Sequence, residues 1–491
     1  AVGDYALNAN TTASFNTALG QGAMLSNTTG TEHVAVGRDA LQSNTTGHSS
    51  TAVGQLALLS ATTASDNTAI GCKSQRYTTT GANNVSVGSN SLDANTTGSS
   101  NIAVGVHSLG ANTTGSYNVA FGESALQANT TANDNSAMGR DALRANTTGT
   151  RNSAFGNSAL YSNTTGNDNV AVGKNSLLAN TTGGYSIAIG REALNANTTA
   201  GEQIGIGYQA LKSNTTGTEN TAVGHKALTS QTTDGYMNTA MGYEAMKANT
   251  SGQSQVAVGF KALLDNTSGS ANTAVGANAL LTNTSGTNNV AVGFRSQYTN
   301  STGGSNTSIG VDSLYSLTNG SQNSAFGYNA GYTTTTGTYN IMLGRAAYSS
   351  SATASNECTL GGTYVNNLRC NDTSISSLSD SRDKTNIEDI PLGLAFINTV
   401  RPVAFNWNCR EDNEDLGLVG EMDVHKAGKK DFGFVAQELK TAANATDYAD
   451  YMRLVSESNP NRLEADPMKM FPILVKAIQE LSAEVKALKE A

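Results

Sequence analysis

The side chains with the most chemical potential lie around residue 380, where the sequence reads S-D-S-R-D-K over residues 379–384. This stretch combines hydroxyls, carboxylates and two cations. On residue types alone, it predicts a polar, solvated linker, because runs of charged residues usually face water. Any chemistry it carries depends on the segments that flank it.

Other residues that commonly carry chemistry are scattered. The cysteines are too few and too far apart for a disulfide framework or a Cys-x-x-Cys metal site, and we interpret them as free or buried thiols, which fits assembly in a reducing cytoplasm. The histidines lack metal-ligand spacing, and the calcium-binding repeat G-G-x-G-x-D is absent. The sequence predicts no cofactor and no metal site. The positions are Cys72, Cys358, Cys370, Cys409, His33, His48, His107, His225 and His425.

The chain up to residue 361 is built from a 17-residue repeat. Its anchor is the glycine that ends each A-V-G-like triplet, from Gly3 through Gly361, and only the interval from Gly224 to Gly242 is longer, by a single residue. A typical row ends in A-L-x-A/S-N-T-T-G. Such strict self-similarity is typical of a quasi-one-dimensional repeat architecture.

Each column of the repeat has a physical role. The residue before the anchor is apolar in every row, the residue two before it is almost always Ala, Ser or Gly, and the residue four after it is mostly Leu or Met. The V-A-V triplet predicts a strand, and its central small residue must face a tight space. N-T-T-G predicts a turn, in which Asn tolerates unusual backbone angles and Gly supplies a positive φ.

These columns predict a mainly β fold, a trimeric parallel β-solenoid or β-roll with one 17-residue repeat per coil. An extended 17-mer would span about 56 Å, so each repeat must fold back and pair with the coils above and below. One coil buries only about three apolar side chains. We therefore expect three chains packed side by side, with the Ala column allowing their close approach. A triple β-helix of interwoven chains is the alternative.

The repeat resembles the heads of trimeric autotransporter adhesins, which use shorter A-I-G-type repeats, and the repeat shafts of phage tail fibres. The N-T-T and N-T-S triplets also match the glycosylation sequon, but their recurrence at a turn favours Asn and Thr side chains that hydrogen-bond between coils. Several tyrosines are candidates for sugar binding: Tyr117, Tyr185, Tyr208, Tyr236 and Tyr243.

A sharp change in composition predicts three segments: the shaft at 1–362, a transition at 363–379, and a separate domain at 380–491. All five prolines and the only tryptophan lie in the last segment. This domain reads as mixed α/β, with a short helix within 388–399, strand-like PVAFNW, strand-to-helix FGFVAQEL, and a terminal helix over 471–490. That helix carries an a/d seam of two heptads, and the need of the shaft for three chains favours a trimeric coiled coil over packing of the helix on its own domain. The seam comprises Leu474, Ile478, Leu481, Val485 and Leu488.

Residues 379–491 resemble the endosialidase-type intramolecular chaperone, the self-cleaving C-terminal module of phage tail spikes and fibres. The resemblance lies in S-D-x-R-x-K-x-N-I (379–387), INTVRPVAFNW (397–407), GFVAQEL (433–439) and FPILVKAIQEL (471–481). It implies a domain that trimerises, folds the upstream fibre and then cuts itself away in a single turnover, with no diffusible substrate.

The same resemblance implies a catalytic Ser/Lys dyad of Ser379 and Lys384. A lysine acts as a base only after its ammonium loses a proton, which burial promotes. Asp380 and Arg382 would orient the loop through charge-assisted bonds, and Asn386 completes the motif. Asp383 departs from the family pattern, where an apolar residue is common.

The sequence thus predicts a trimeric viral tail fibre or spike, assembled in the host cytoplasm, that contacts a host-surface receptor, which could be a glycan. The alternatives are a cellular surface adhesin, a lattice binder for ice or polysaccharide, and a depolymerase, disfavoured because no acid recurs in a column. The net charge of −9 gives nucleic-acid binding little support, and no apolar run approaches the ~18 residues that span a membrane. Because residue 1 already lies within a repeat, we expect an upstream segment that attaches to the virion baseplate or tail.

Overall fold

The computed structural model describes residues 1–232, 235–362, 365, 384–406, 430–457 and 463–490. By its internal contacts the chain divides into two compact units, Ala1–Asn306 and Thr307–Ala491. The predicted transition segment at 363–379 lies, apart from Val365, outside the described residues.

In the first unit each repeat contributes one short strand, and successive strands pair in parallel. The register aligns the same repeat position in every strand, as where Ala137 pairs with Ala154. The mainly β, parallel solenoid of about 20 turns is therefore confirmed. The strands are β1 Thr17–Leu19, β2 Val34–Val36, β3 Thr51–Val53, β4 Thr68–Ile70, β5 Val85–Val87, β6 Ile102–Val104, β7 Val119–Phe121, β8 Ser136–Met138, β9 Ser153–Phe155, β10 Val170–Val172, β11 Ile187–Ile189, β12 Ile204–Ile206, β13 Thr221–Val223, β14 Thr239–Met241, β15 Val256–Val258, β16 Thr273–Val275 and β17 Val290–Val292.

The single longer interval between anchor glycines leaves the strand register intact. Thr221 of β13 lies opposite Thr239 of β14, the same repeat position in the next strand, as in the other pairs. The extra residue is therefore taken up outside the strands.

Each turn closes around its own small apolar core. In the turn that contains β9, the side chains of Ala154, Ala159 and Leu160 are completely buried, which matches the expectation of about three apolar side chains per coil. Leu160 has a φ of 52°, a left-handed conformation that costs an L-residue roughly 1–2 kcal/mol. Burying a leucine contributes about 1.5–3 kcal/mol, so the interior contact offsets the backbone strain.

The alanine column does not have the position that the sequence suggested. The middle residue of each strand, such as Ala154, points into the turn of its own chain. The prediction that this column allows the close approach of neighbouring chains is therefore wrong, since its side chains are already enclosed by one chain.

Asparagine side chains form ladders inside the solenoid. Asn163 of N-T-T-G donates from Nδ2 to Oδ1 of Asn146 in the preceding turn at 2.9 Å and to the carbonyl oxygen of Gly166 at 3.0 Å. A second ladder uses the residue just before each strand, as where Asn118 donates to Asn101 at 3.2 Å. These asparagines are completely buried, so the sequons serve as interior hydrogen-bonding positions.

The threonines of N-T-T-G extend this bonding between turns. The hydroxyl of Thr164 donates to the carbonyl oxygen of Thr181 in the next turn at 3.0 Å. Buried polar groups are costly unless they are hydrogen-bonded, and the repeat supplies partners one turn away. The interpretation of N-T-T as stacked, hydrogen-bonded turn residues is confirmed.

The glycine of N-T-T-G does not supply the positive φ that the sequence predicted. Positive φ values occur at the anchor glycines and at three non-glycine positions in a typical turn, but not at Asn163 or Gly166. A Cβ on Gly166 would lie 2.3 Å from the carbonyl oxygen of Gly183 in the next turn. Glycine is required there because successive backbones approach closely, and asparagine because its side chain enters the ladder.

His33 occupies the position before β2 where most other turns have asparagine. Its Nε2 donates to the carbonyl oxygen of Gly47 at 2.7 Å, and its Nδ1 accepts from the amide of Ser50 at 3.1 Å. Asn84 makes the equivalent two bonds, to Gly98 and from Asn101. Burial lowers the pKa of His33 below its ordinary value, which the bonds to Gly47 and Ser50 partly oppose.

The second unit contains four further solenoid strands and a helical part. β18 Thr307–Ile309, β19 Ser324–Phe326, β20 Ile341–Leu343 and β21 Cys358–Leu360 pair in parallel, each with the next. The remaining elements are α1 Leu394–Ile397, β22 Val403–Asn406, β23 Lys430–Gly433, α2 Ala436–Asn444, α3 Ala449–Met452, β24 Val455–Ser456, β25 Glu464–Ala465, a 3₁₀ turn Pro467–Met470 and α4 Phe471–Glu490.

The helical part has the mixed composition that the sequence predicted. β22 pairs antiparallel with β23, and the FGFVAQEL stretch passes from strand into α2. The helix expected within 388–399 is confined to α1. The core of this part is built from eight buried residues: Leu392, Phe396, Leu439, Ala443, Met452, Leu454, Met470 and Ile473.

His33 generates a prediction about acidification. Below pH about 6.5, the ordinary histidine value, an unfolded turn takes up a proton that the folded turn resists. The contribution of the neutral His33 side chain to stability is therefore fully present above that pH. It is lost as the pH falls toward the lowered pKa of the folded state. His33→Asn keeps the two bonds and removes the titration.

We expect the amide of Ser50 to exchange hydrogen faster in the wild type than in His33→Asn at pH 5, and equally in both proteins at pH 8. Comparing the two proteins at one pH cancels the intrinsic rate of exchange. Equal exchange at pH 5 would contradict this assignment.

Candidate functional site

The predicted catalytic residues are only partly described. Ser379, Asp380 and Arg382 lie outside the described residues, whereas Lys384 and Asn386 lie in the segment before α1 and are exposed. Asn386 has a φ of 54°, a left-handed conformation that asparagine tolerates better than most residues. The Ser379–Lys384 dyad stays a prediction.

Two of the motif stretches are joined by an ion pair. Arg401, in the stretch 397–407, forms hydrogen bonds with both carboxylate oxygens of Glu438, in the stretch 433–439; the bond from Nε is 3.0 Å long. The hydrogen bond from Arg401 lowers the pKa of the Glu438 carboxyl. The pair connects the start of β22 to the first turn of α2, two segments that are distant in sequence.

Helix α4 packs on its own domain through one face. Ile473 and Ala477 are buried, and the carboxylate of Glu480 accepts a hydrogen bond of 2.7 Å from the amide of Leu394, at the start of α1. This face is therefore already occupied within the single chain.

The predicted a/d seam lies on a different face of α4 and is exposed. Its five residues leave between 38% and 78% of their surface accessible, with Leu488 the most exposed and Leu474 the least. Because successive residues are about 100° apart around a helix, the centre of the seam lies about 80° from the centre of the face that holds Ile473 and Ala477. Packing within the domain accounts for those two residues and leaves the seam uncovered.

A second uncovered apolar surface runs along the solenoid. We call the third residues of β1–β17 the outer strand face, because strand alternation points them away from the enclosed alanine. The third position is Val, Leu, Ile, Phe or Met in every one of these strands. Ten of these residues expose 36–48% of their surface: Leu19, Ile70, Val87, Phe121, Met138, Phe155, Val172, Ile189, Met241 and Val275.

The outer strand face does not have the pattern of a lattice binder. Such a binder needs a flat T-x-T array, but here the third position is apolar and varies in size between neighbouring strands, as with Phe121 beside Val104. The first threonine of N-T-T is partly buried, and its hydroxyl bonds the next turn. These features disfavour the ice or crystalline-lattice alternative.

The tyrosines proposed for sugar binding fall into two groups. Tyr208, His225, Tyr243 and Phe260 form a column in which neighbouring ring centres lie 5.0–5.3 Å apart, so they cover one another's faces and present mainly edges. Tyr117 and Tyr185 instead project from corners of the solenoid with 65% and 67% of their surface exposed. Tyr236 is exposed to a smaller extent.

The expectation that no acidic residue recurs in a column is wrong. The fifth position before the anchor is acidic in six turns: Glu32, Asp66, Asp134, Asp168, Glu202 and Glu219. Asp168 is bound by Arg151 at 2.7 Å. Glu202 and Glu219, in adjacent turns, line an open groove of about 380 Å³.

The repeat pattern by itself did not predict this groove. It lies where two successive turns have glycine, Gly184 and Gly201, at a position that is mostly Ser, Thr or Asn in other turns. That departure from the repeat was the available signal.

Within the described parts of the chain, no group of three or more His, Cys, Asp and Glu residues is placed to hold a metal ion. Cys72 and Cys358 are exposed free thiols. None of the described helices is long and apolar enough to cross a membrane.

Comparison with known families gives one match. Residues 379–448 match the model of a serine peptidase family described as chaperone of endosialidase. The stretch 471–481 lies beyond this match. No curated protein and no solved structure matches the chain. The family match and the solenoid together fit a tail fibre with a C-terminal intramolecular chaperone.

Proposed function

We propose that this chain forms a homotrimeric viral tail fibre or spike, in which the C-terminal domain brings three chains together and folds the shaft. The domain then cuts itself away near Ser379, and the shaft contacts a receptor on the host surface. An upstream region would attach the fibre to the baseplate or tail of the virion.

The main support for a trimer is that α4 has two apolar faces. One face packs into its own domain through Ile473 and Ala477, while the seam that begins at Leu474 is exposed. Apolar residues repeated at spacings of four and three are the pattern of a coiled-coil interface. Covering such a seam with two identical helices removes it from water without any other partner.

The outer strand face supports the same proposal. Contiguous exposed apolar patches of more than a few hundred Å² are rare on soluble monomers and mark interaction surfaces. This face continues over the seventeen strands of the first unit, from Leu19 to Val292. Three copies placed in register by their C-terminal domains would each supply a cover for the others.

Self-cleavage rests on the family match and on the motif from Ser379 to Asn386. Ser379 would attack the carbonyl carbon of the peptide bond beside it while Lys384 accepts the hydroxyl proton, and the leaving amine would take up that proton as an ester forms. Water would then hydrolyse the ester, which releases the new carboxylate and restores the serine hydroxyl. Lys384 is exposed in the single chain, so the burial that makes a lysine an effective base would come from neighbouring copies. Cleavage would then follow assembly.

The seam generates a test of assembly. Ile478→Glu places a carboxylate in the seam, where symmetry-related copies would repel one another in a desolvated interface. We expect trimers to be lost in sedimentation experiments and self-cleavage to fall with them. The matched control is Gln479→Glu, which adds the same charge at the next, exposed position and should remain trimeric. A trimeric Ile478→Glu protein would exclude the seam as the interface.

The dyad generates a test of chemistry. On a denaturing gel, purified full-length protein should separate into a large shaft that ends near Ser379 and a smaller fragment that ends at Ala491. Ser379→Ala and Lys384→Ala should each leave one full-length band, while the controls Ser377→Ala and Ser381→Ala should still be cut. Intact masses then show which side of Ser379 is cleaved. Normal cleavage in both dyad variants would remove this assignment.

A further inference from the structure

The groove at the corner of residues 182–219 combines features that other turns lack. It measures about 380 Å³, within the ~300–1,000 Å³ typical of small-molecule sites. Tyr185 forms one wall, with a ring that is largely exposed and takes part in none of the ring stacks found among the described residues. Glu202 and Glu219 follow one and two turns further on.

The two carboxylates are available to a ligand. Neither the Glu202 nor the Glu219 carboxylate forms a hydrogen bond or ion pair with any residue that the structure describes, whereas the carboxylate of Asp168 in the same column is held by Arg151. No lysine or arginine lines the groove. Its acceptors are therefore not neutralised by the protein.

The glycines expose hydrogen-bond donors in the same place. In several other turns, the side chain at this position accepts a hydrogen bond from the backbone amide of the preceding turn, as Ser116 accepts from Ser99 and Asn167 from Thr150. Gly184 and Gly201 have no side chain to do so. The amides of Asn167 and Gly184 consequently have no acceptor among the described residues.

We propose that this groove binds a neutral oligosaccharide. The carboxylates accept hydrogen bonds from sugar hydroxyls, the uncapped amides donate to them, and the apolar face of a pyranose ring packs against Tyr185. An acidic sugar is disfavoured because two unpaired carboxylates would repel it. This inference rests on the proposed attachment function, for which it supplies the chemical class of the receptor.

The test is binding of the full-length protein to a panel of immobilised oligosaccharides, half neutral (hexose and N-acetylhexosamine) and half anionic (uronic and sialic acid). We expect retention of at least one neutral probe and none of the anionic ones. Tyr185→Ala and the double variant Glu202→Gln/Glu219→Gln should each weaken binding at least tenfold. Gly201→Thr, which introduces a residue type common at this position, should fill the groove and abolish binding.

The matched control is Tyr339→Ala. Tyr339 occupies the same column and is also exposed, but the residue before it is Thr338 rather than glycine, so its loss should leave binding unchanged. Absence of binding to every neutral probe, preference for anionic probes, or binding that survives both Tyr185→Ala and Gly201→Thr would overturn the inference.

The oligomeric state and cleavage of the same preparations separate this inference from the proposed function. A trimeric, cleaved protein that binds no neutral probe contradicts the groove alone. A folded monomer that remains uncut contradicts the proposed function.

Discussion

The rest of the structure depends on the in-register parallel pairing of very short strands. The register places each strand beside the equivalent triplet of the next repeat. Equivalent residues therefore lie on the same face in every strand. The middle residue enters the turn and the two flanking residues point outward. Enclosing the alanine therefore forces the apolar third residue of every strand to the surface, and the outer strand face is a consequence of the pairing.

The interior of each turn explains why the repeat is so strict. A typical turn encloses one leucine, small alanines and two asparagines, and the asparagine amides bond to their equivalents one turn away. A residue of another size or polarity would leave two neighbouring turns with unpaired buried groups, each costing about 1–3 kcal/mol. His33 is tolerated because its two ring nitrogens reproduce two other bonds that asparagine makes here, the one to a glycine carbonyl oxygen and the one from the backbone amide one turn on. The surface corners carry no such constraint, and the repeat varies there.

The sequence predicted the architecture well because the period of the repeat determines which residues of successive strands pair. The strands, the buried leucine column and the hydrogen-bonded N-T-T turns follow from the spacing of the repeat. The direction of the side chains was harder to predict, since V-A-V alternates identically whichever face is enclosed, and the alanines were wrongly assigned to an interface between chains. Left-handed leucines such as Leu160 were also missed, because their backbone strain is offset by burial that only the folded turn reveals. For the catalytic motif, Ser379 is singled out only by the sequence, because the described residues include only Lys384 and Asn386 of the predicted site.

The mass of the intact protein in solution tests the central claim most directly, namely that its exposed apolar seam and strand face are covered by other copies of the same chain. Sedimentation equilibrium on the Lys384→Ala protein, which should remain uncut, measures this without interference from cleavage. The account predicts a single species of about three times the 50.5 kDa chain mass. A folded, monodisperse species at the mass of one chain would contradict it.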